Sequence, residues 1–353
     1  MTNTNPKRYN SNPLSKCSQI PSSKDGRASI SKVRGTSASK GVGISTSKRS
    51  GISAAFTFAS CFSVFIVSLF FSDKIAHSVR SALSLCSSVI IPSVFPFMVI
   101  SDFLYVYTDF SRFKGIGDAF ERIFGVSRAG LYPYVLGLLC GFPLGVKCAS
   151  ELYKSGKLSR EEAERVIGFS NNTGPAFLVS GIGLGLRGSI KDGFLLYFVM
   201  VASSIIVGYL FSSKGTPETP PDRMKAEKSF SLTASIKNAG INTLNVCSYL
   251  TFFACVVGLL RGAIGENYVY LSLIPFLEVG SATSILSKTK LLSPRLSLAL
   301  SSFAVGFSGL SVHLQAISFL IGTDIRIKRY VLMKLLQGVL SFLITFLLYS
   351  VLI

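Results

Sequence analysis

Apolar residues gather along this chain into runs. Residues 52–72, 189–211, 246–264 and 329–353 are each long enough to cross a bilayer, which takes roughly 20 apolar residues. Each is expected to span as an uninterrupted helix. Five further regions, 75–108, 128–150, 166–188, 268–287 and 294–321, are also apolar but carry glycine, proline or polar clusters.

The interruptions have a common character. In "SVIIPSVFPFMVISDFLYVY" (88–107), Pro92 and Pro96 are expected to break the helix, with Asp102 about two turns beyond the second proline. A polar stretch, 109–128, follows. In "GFPLGVK" (141–147), Gly141, Pro143 and Gly145 predict a break with Lys147 beside it. Ser159 and Glu162 form a capping-box pattern, so a charged helix should begin near Arg160 at a membrane surface. It leads into "SNNTGP" (170–175) and the small-residue run 176–186. In the later part of the chain, "SLIPFLEVGSATSIL" (272–286) contains Pro275 and Glu278, and 304–330 contains a Gly/Ser break at Gly306 and Gly309 followed by His313 and Gln315.

These features repeat in order, which predicts two related halves. Pro96-Phe97 before Asp102 matches Pro275-Phe276 before Glu278. Gly141-Phe142 matches Gly306-Phe307, which sets Lys147 opposite His313. The expected divisions are a tail over 1–50, a first transmembrane half over 51–211, a polar linker over 212–230 and a second half over 231–353.

Composition supports a polytopic, all-α membrane protein with broken or re-entrant helices. The chain is 49% hydrophobic and only 15% charged, with mean hydropathy +0.50, where a soluble domain carries about a quarter charged residues. The net charge of +19 is uneven: residues 1–50 hold ten Lys or Arg against one acid, Asp25, hence about +9. That tail is Ser/Thr/Gly/Asn-rich and is expected to be disordered, cytoplasmic and close to anionic lipid. It has no aromatic residues spaced to stack bases, which argues against nucleic acid as a partner. The apolar stretch after it is long enough to remain as a span, unlike a cleaved signal peptide. Seven cysteines, odd in number and without a CxxC pair, read as small packing residues and not as a disulfide framework or metal site. No cofactor, HExxH, Walker-type loop or nucleophile–base arrangement appears, so no enzymatic activity is expected.

Charges among apolar segments need a reason, since each costs at least about 2.5–3.5 kcal/mol on insertion scales. Lys147 could snorkel to an interface, Asp102 could end a helix and His313 could be neutral and hydrogen-bonded. Alternatively they line a cavity, because unwound backbone at membrane depth is tolerated only where protein or water covers it. The candidate substrate site is then Lys147, Asn171, Asn172, Thr173 and Gly174, with Ser308, Ser311, His313 and Gln315 from the second half. Pro175 can open the next half-helix, whose N–H groups favour an anion. Asp102 and Glu278 are the candidates for coupling a proton or sodium ion.

"GFPLGVKCASELYKSGKLSREEAERVIGFSNNTGPAFL" (141–178) and "GFSGLSVHLQAISFLIGTDIRIKRYVLMKLLQ" (306–337) resemble the two signature regions of the YlbJ (SpoVV) family of sporulation integral membrane proteins. That family belongs to the nucleoside-recognition or gate-domain group, shared with concentrative nucleoside transporters. The resemblance covers roughly 75–350. It implies a protein of the outer forespore membrane that moves dipicolinic acid, a small aromatic dianion, toward the spore. A scaffold acting through the basic tail, or a transporter of nucleosides or other carboxylates, remains an alternative. Span number, the side of the C-terminus and oligomeric state stay open.

Overall fold

Every regular element that the computed structural model describes is helical; it describes residues 62–107, 114–212 and 230–352, all within one unit, Thr57–Ile353. The basic tail, the start of the 52–72 run and most of the linker lie outside these residues. The helices are α1 Ser72–Tyr107, α2 Lys114–Phe124, α3 Leu131–Cys140, α4 Leu144–Lys154, α5 Arg160–Ser170, the π-helical α6 Ala176–Leu186 and α7 Ile190–Leu210. They continue with α8 Leu232–Ile264, α9 Tyr268–Leu277, α10 Val279–Lys288, α11 Pro294–Phe307, α12 Gly309–Leu320 and α13 Ile327–Leu352. Among the described residues, α1, α7, α8, the α11–α12 pair and α13 are each long and apolar enough to cross a membrane. The chain is a polytopic helical membrane protein.

One expected break is absent. α1 runs through Pro92 and Pro96 without interruption. A π-helical turn, Cys86–Ile90, directly precedes the prolines and re-phases the backbone where a proline ring would strike the carbonyl behind it. The Ser93 hydroxyl, between the two prolines, donates to the Val89 carbonyl one turn back at 2.6 Å. α8 extends the expected 246–264 span back to Leu232. Its polar start is held because Ser235, Ala239 and Thr243 are buried, and Thr243 donates to the Met98 sulfur of α1.

Contacts at the two ends of the bundle fix the path of the chain. α8 runs antiparallel to α1: Gly258 lies against Ser78 and Ile75, and Phe230 against Phe103 and Tyr107. At one end the Tyr153 hydroxyl donates to Asp324, the Arg326 N–H donates to Glu164 at 2.9 Å, and Arg329 donates to the Phe211 carbonyl at 2.8 Å. At the other end Arg187 pairs with Asp192 at 2.7 Å and donates to Ser297, whose hydroxyl donates to the Leu286 carbonyl at 2.5 Å. Hairpin α3–α4 therefore enters from the Asp324 end and returns to it. Hairpin α9–α10 enters from the Arg187 end and returns there.

The two halves are thus inverted, as in many carriers, but in a register different from that expected. By element order, hairpin α3–α4 corresponds to α9–α10, broken helix α5–α6 to α11–α12, and α7 to α13. The "GFP" break at 141–143 is the counterpart of the Glu278 break, and "NNTG" (171–174) is the counterpart of Ser308. Lys147 and His313 are not equivalent. Sequence matching aligned a hairpin with a broken helix because both contain Gly-Phe, whereas chain direction separates them. The charged stretches 151–165 and 324–334 lie at the same end without contradiction: one closes a hairpin, the other follows a crossing. The C-terminus of α13 reaches the Arg187 end, where Arg295 donates to the Phe346 carbonyl at 2.7 Å.

The expected capping box is present. Ser159 accepts from the Glu162 N–H, and Glu162 accepts from the Ser159 N–H at 2.8 Å and from the Ser127 N–H at 2.7 Å. Ser159→Ala should lower stability by about 1 kcal/mol. A thermal melt in detergent would read this as a small fall in midpoint, and an unchanged midpoint would count against the cap.

Candidate functional site

In each half, a hairpin tip meets a helix break. Gly141 has φ 86°, next to a cis Phe142–Pro143 bond, and α4 resumes at Leu144. A β-carbon on Gly141 would stand 2.6 Å from the Gly174 nitrogen, and one on Gly137 or Gly145 would collide with the Ser170 carbonyl. In the second half a β-carbon on Gly309 would stand 3.1 Å from the Leu277 oxygen, beside Glu278. Ser308 takes φ 75°, a left-handed conformation that costs a serine roughly 1–2 kcal/mol and marks a constrained site.

Two expected break positions lie elsewhere. Gly145 is inside α4 and Gly306 inside α11; neither ends a helix. Both are glycine because backbone passes close by, the Ser170 carbonyl at Gly145 and the Gln337 carbonyl at Gly306. Pro175 caps α6 as expected, and Gly309 opens α12.

Around the first break lies a buried polar centre. Asn171 donates from Nδ2 to the Tyr330 hydroxyl at 2.9 Å. Asn172 donates to the Phe169 carbonyl at 2.7 Å and accepts from Gln337 Nε2 at 2.9 Å. Lys334 Nζ donates to the Asn171 carbonyl at 2.9 Å and to Gln337 Oε1 at 2.8 Å. Lys334 is 0% exposed, and among the described residues no carboxylate pairs with it. One of its three N–H donors remains. His313 sits between the Phe307 and Tyr330 rings, at 4.7 and 5.2 Å between centroids.

Several polar atoms here are buried with no hydrogen-bond partner: Ser170 Oγ, Asn171 Oδ1, Thr173 Oγ1 and both ring nitrogens of His313; Gln315 Oε1, on the other face of α12, is a further one. Ser170, Asn171, Thr173 and His313 lie at or beside the first break and present hydroxyl, amide and imidazole groups of the kind that bind a polar solute. Ser311 and Gln315, four apart, share one face of α12, while His313 lies on the other. The second-half residues therefore divide between two faces.

Tyr330, Lys334 and Gln337 were not singled out in the sequence. Their signal was the polar series Tyr330, Lys334, Gln337, Ser341 and Thr345, spaced four, three, four and four within an otherwise apolar run. That spacing makes one polar stripe facing inward. Ser341 continues it by bonding Ser203 at 2.8 Å, and Thr345 by donating to Ser302 at 2.8 Å.

Lys147 lies elsewhere. Its Nζ is 2.5 Å from Asp102 Oδ1, 3.5 Å from Glu151 Oε1 and 3.3 Å from Ser101 Oγ. Two carboxylates already neutralise it, which disfavours it as the cation for a bound anion. A small-residue break draws attention to the nearest lysine, but one turn of about 3.6 residues carries its side chain toward α1. Asp102 and Glu278 form no common site either. Glu278 caps α10, its oxygens accepting from the Gly280 N–H at 2.6 Å and from the Ser281 N–H. Leu85 packs at Gly280, about 25 Å along α1 from Asp102.

Inverted hairpins, paired breaks and a polar centre belong to a membrane protein whose counterpart is visible in sequence. The chain is similar to YlbJ. The likeness to this sporulation integral membrane protein of Bacillus subtilis (strain 168) is 26% identity over 320 residues, covering 77% of this chain and 76% of YlbJ. The resemblance to YlbJ expected from the signature stretches is present over most of the chain. No family model matches the chain. No solved structure matches it.

Proposed function

We propose that this chain is a sporulation membrane carrier for a small anionic solute, with dipicolinate as substrate and the outer forespore membrane as its place of action. The observation that carries this reading is Lys334: a fully buried amine held by neutral oxygens alone, beside orphaned donors at a helix break. A carboxylate supplies the counter-charge that a buried ammonium lacks. Thr173 and His313 offer further donors, and the neutral amides of Asn171, Asn172 and Gln337 hold the lysine in place. The centre is closed from both ends, with Asn171, Asn172 and Lys334 at 0% exposure, so solute enters only when one hairpin moves. The inverted hairpins supply one such element for each side. Similarity to YlbJ adds the sporulation context. Binding and passage, without covalent chemistry, account for the residues present.

The test is uptake of dipicolinate into liposomes containing the purified protein. Flux above that of protein-free vesicles is expected, and deletion of residues 1–45 should leave it intact. Equality with protein-free vesicles would overturn the carrier reading. Loss of function on deleting the tail alone would favour a scaffold.

A further inference from the structure

Helix α12 carries three long-lived candidates for contact with a solute, and its geometry sorts them. Ser311 and Gln315 share one face, and His313 stands on the other. There the imidazole packs edge-on between Phe307 and Tyr330, at 72° and 85° to their ring planes. The Tyr330 hydroxyl accepts from Asn171, and Lys334, four residues on along α13, donates to the carbonyl of the same asparagine. Side chains four apart on a helix stand about 5–6 Å from each other at their β-carbons. His313 is thus a close neighbour of Lys334, and the two interact electrostatically. It is 3% exposed, and neither of its ring nitrogens has a hydrogen-bond partner.

Lys334 brings one positive charge and one uncommitted N–H, since Asn171 and Gln337 take the other two. That suits a single carboxylate. A solute with two carboxylates needs a second donor, and an imidazole carries at least one N–H in its neutral and its cationic form alike. A charged acceptor forms the stronger kind of hydrogen bond with such a group. We propose that His313 takes the second carboxylate of a dicarboxylate whose first carboxylate lies on Lys334, so that the site separates dicarboxylates from monocarboxylates; this deepens the carrier reading above and rests on it.

The placement of the two donors gives the selection a structural meaning. Lys334 is held by the first break through Asn171, whereas His313 follows the second break at Ser308. A dicarboxylate on both joins broken helix α5–α6 to broken helix α11–α12. A monocarboxylate on Lys334 leaves the second break unengaged. Phe307 and Tyr330 flank the imidazole with aromatic carbon, so water does not readily replace the missing carboxylate. A site built to hydrogen-bond a polar group rejects the analogue that lacks it, because the buried donor stays unpaired.

Calorimetric titration of the purified full-length protein with two pyridine acids tests this. Wild type should bind dipicolinate, with two carboxylates, at least about tenfold more tightly than picolinate, with one. His313→Phe keeps an aromatic ring against Phe307 and Tyr330 but removes the N–H. It should lose about tenfold in dipicolinate affinity, keep that for picolinate, and so bind the two acids alike. A role in packing alone would move both affinities together. The chain has two histidines, and the other, His77, is exposed. In His77→Asn protein labelled with ¹⁵N-histidine, the single remaining imidazole should shift its resonances with dipicolinate and not with picolinate. Equal affinities in wild type, a preference that survives His313→Phe, parallel loss of both acids, or an imidazole unmoved by dipicolinate would overturn the proposal. Should His313→Phe fail to fold, the imidazole titration decides alone. Two-point binding without uptake into liposomes would end the carrier reading and leave this site standing; uptake without preference for the second carboxylate would do the reverse.

Discussion

Lys334→Met should reduce dipicolinate uptake by about two orders of magnitude while leaving the protein folded. The size follows from the lost interaction: a hydrogen bond to a charged group contributes about 1.5–3 kcal/mol, and each 1.4 kcal/mol is tenfold in binding. Methionine preserves much of the volume but leaves the Asn171 carbonyl and Gln337 Oε1 without their donor, so a stability loss of about 1–3 kcal/mol per orphaned group accompanies the loss of uptake. Gln337 still has Asn172 as a partner at 2.9 Å. Lys334→Arg should not rescue uptake, because a planar guanidinium cannot take the place of a compact ammonium among Asn171 and Gln337. Uptake kinetics and a thermal melt on the same preparations separate the two effects. Undiminished uptake by Lys334→Met would remove the basis of the anion site.

The second large effect concerns folding. Gly137→Ala should destabilise the bundle by about 3 kcal/mol or more, at the upper end for overpacking a core. A β-carbon at Gly137 has no room, since the atom it meets is the Ser170 backbone carbonyl, which cannot rotate away. That carbonyl belongs to the first helix break, so relief would shift Asn171 and Asn172 as well. Gly240→Ala is the control. No atom lies within 4 Å of the added carbon, and alanine favours an α-helix over glycine by about 1 kcal/mol. A fall in melting temperature for Gly137→Ala and none for Gly240→Ala is the expected pair of results. Equal behaviour would mean that the hairpin does not seat against the break as described.

Tip-to-break seating also explains why one part of the site was readable and another was not. "SNNTG" announced itself, because Asn, Thr and Gly together cannot extend an apolar helix and the chain must leave helical geometry there. The capping box at Ser159 was equally plain, being local to four residues. Lys334 was hidden by its surroundings. A lysine near the start of a long apolar run normally reaches for the interface, and only the inward direction of the Tyr330–Thr345 stripe distinguishes it. Lys147 misled for the converse reason. It stands close in sequence to the "GFP" break, yet its partners Asp102 and Glu151 lie on α1 and on its own helix. Pro92 and Pro96 misled because a π-helical turn, invisible in composition, lets α1 pass through them.

Hydrophobic runs, their lengths and their Gly/Pro interruptions determined by themselves that this is a helical membrane protein with broken segments, since water and lipid sort side chains without regard to distant contacts. Which break meets which hairpin was decided only in the tertiary structure. Chain direction inverts the second half, so residues that look alike in sequence face opposite ends of the bundle. The same packing neutralises Lys147 and leaves Lys334 without a carboxylate, because counter-charges come from neighbouring helices that no local pattern specifies.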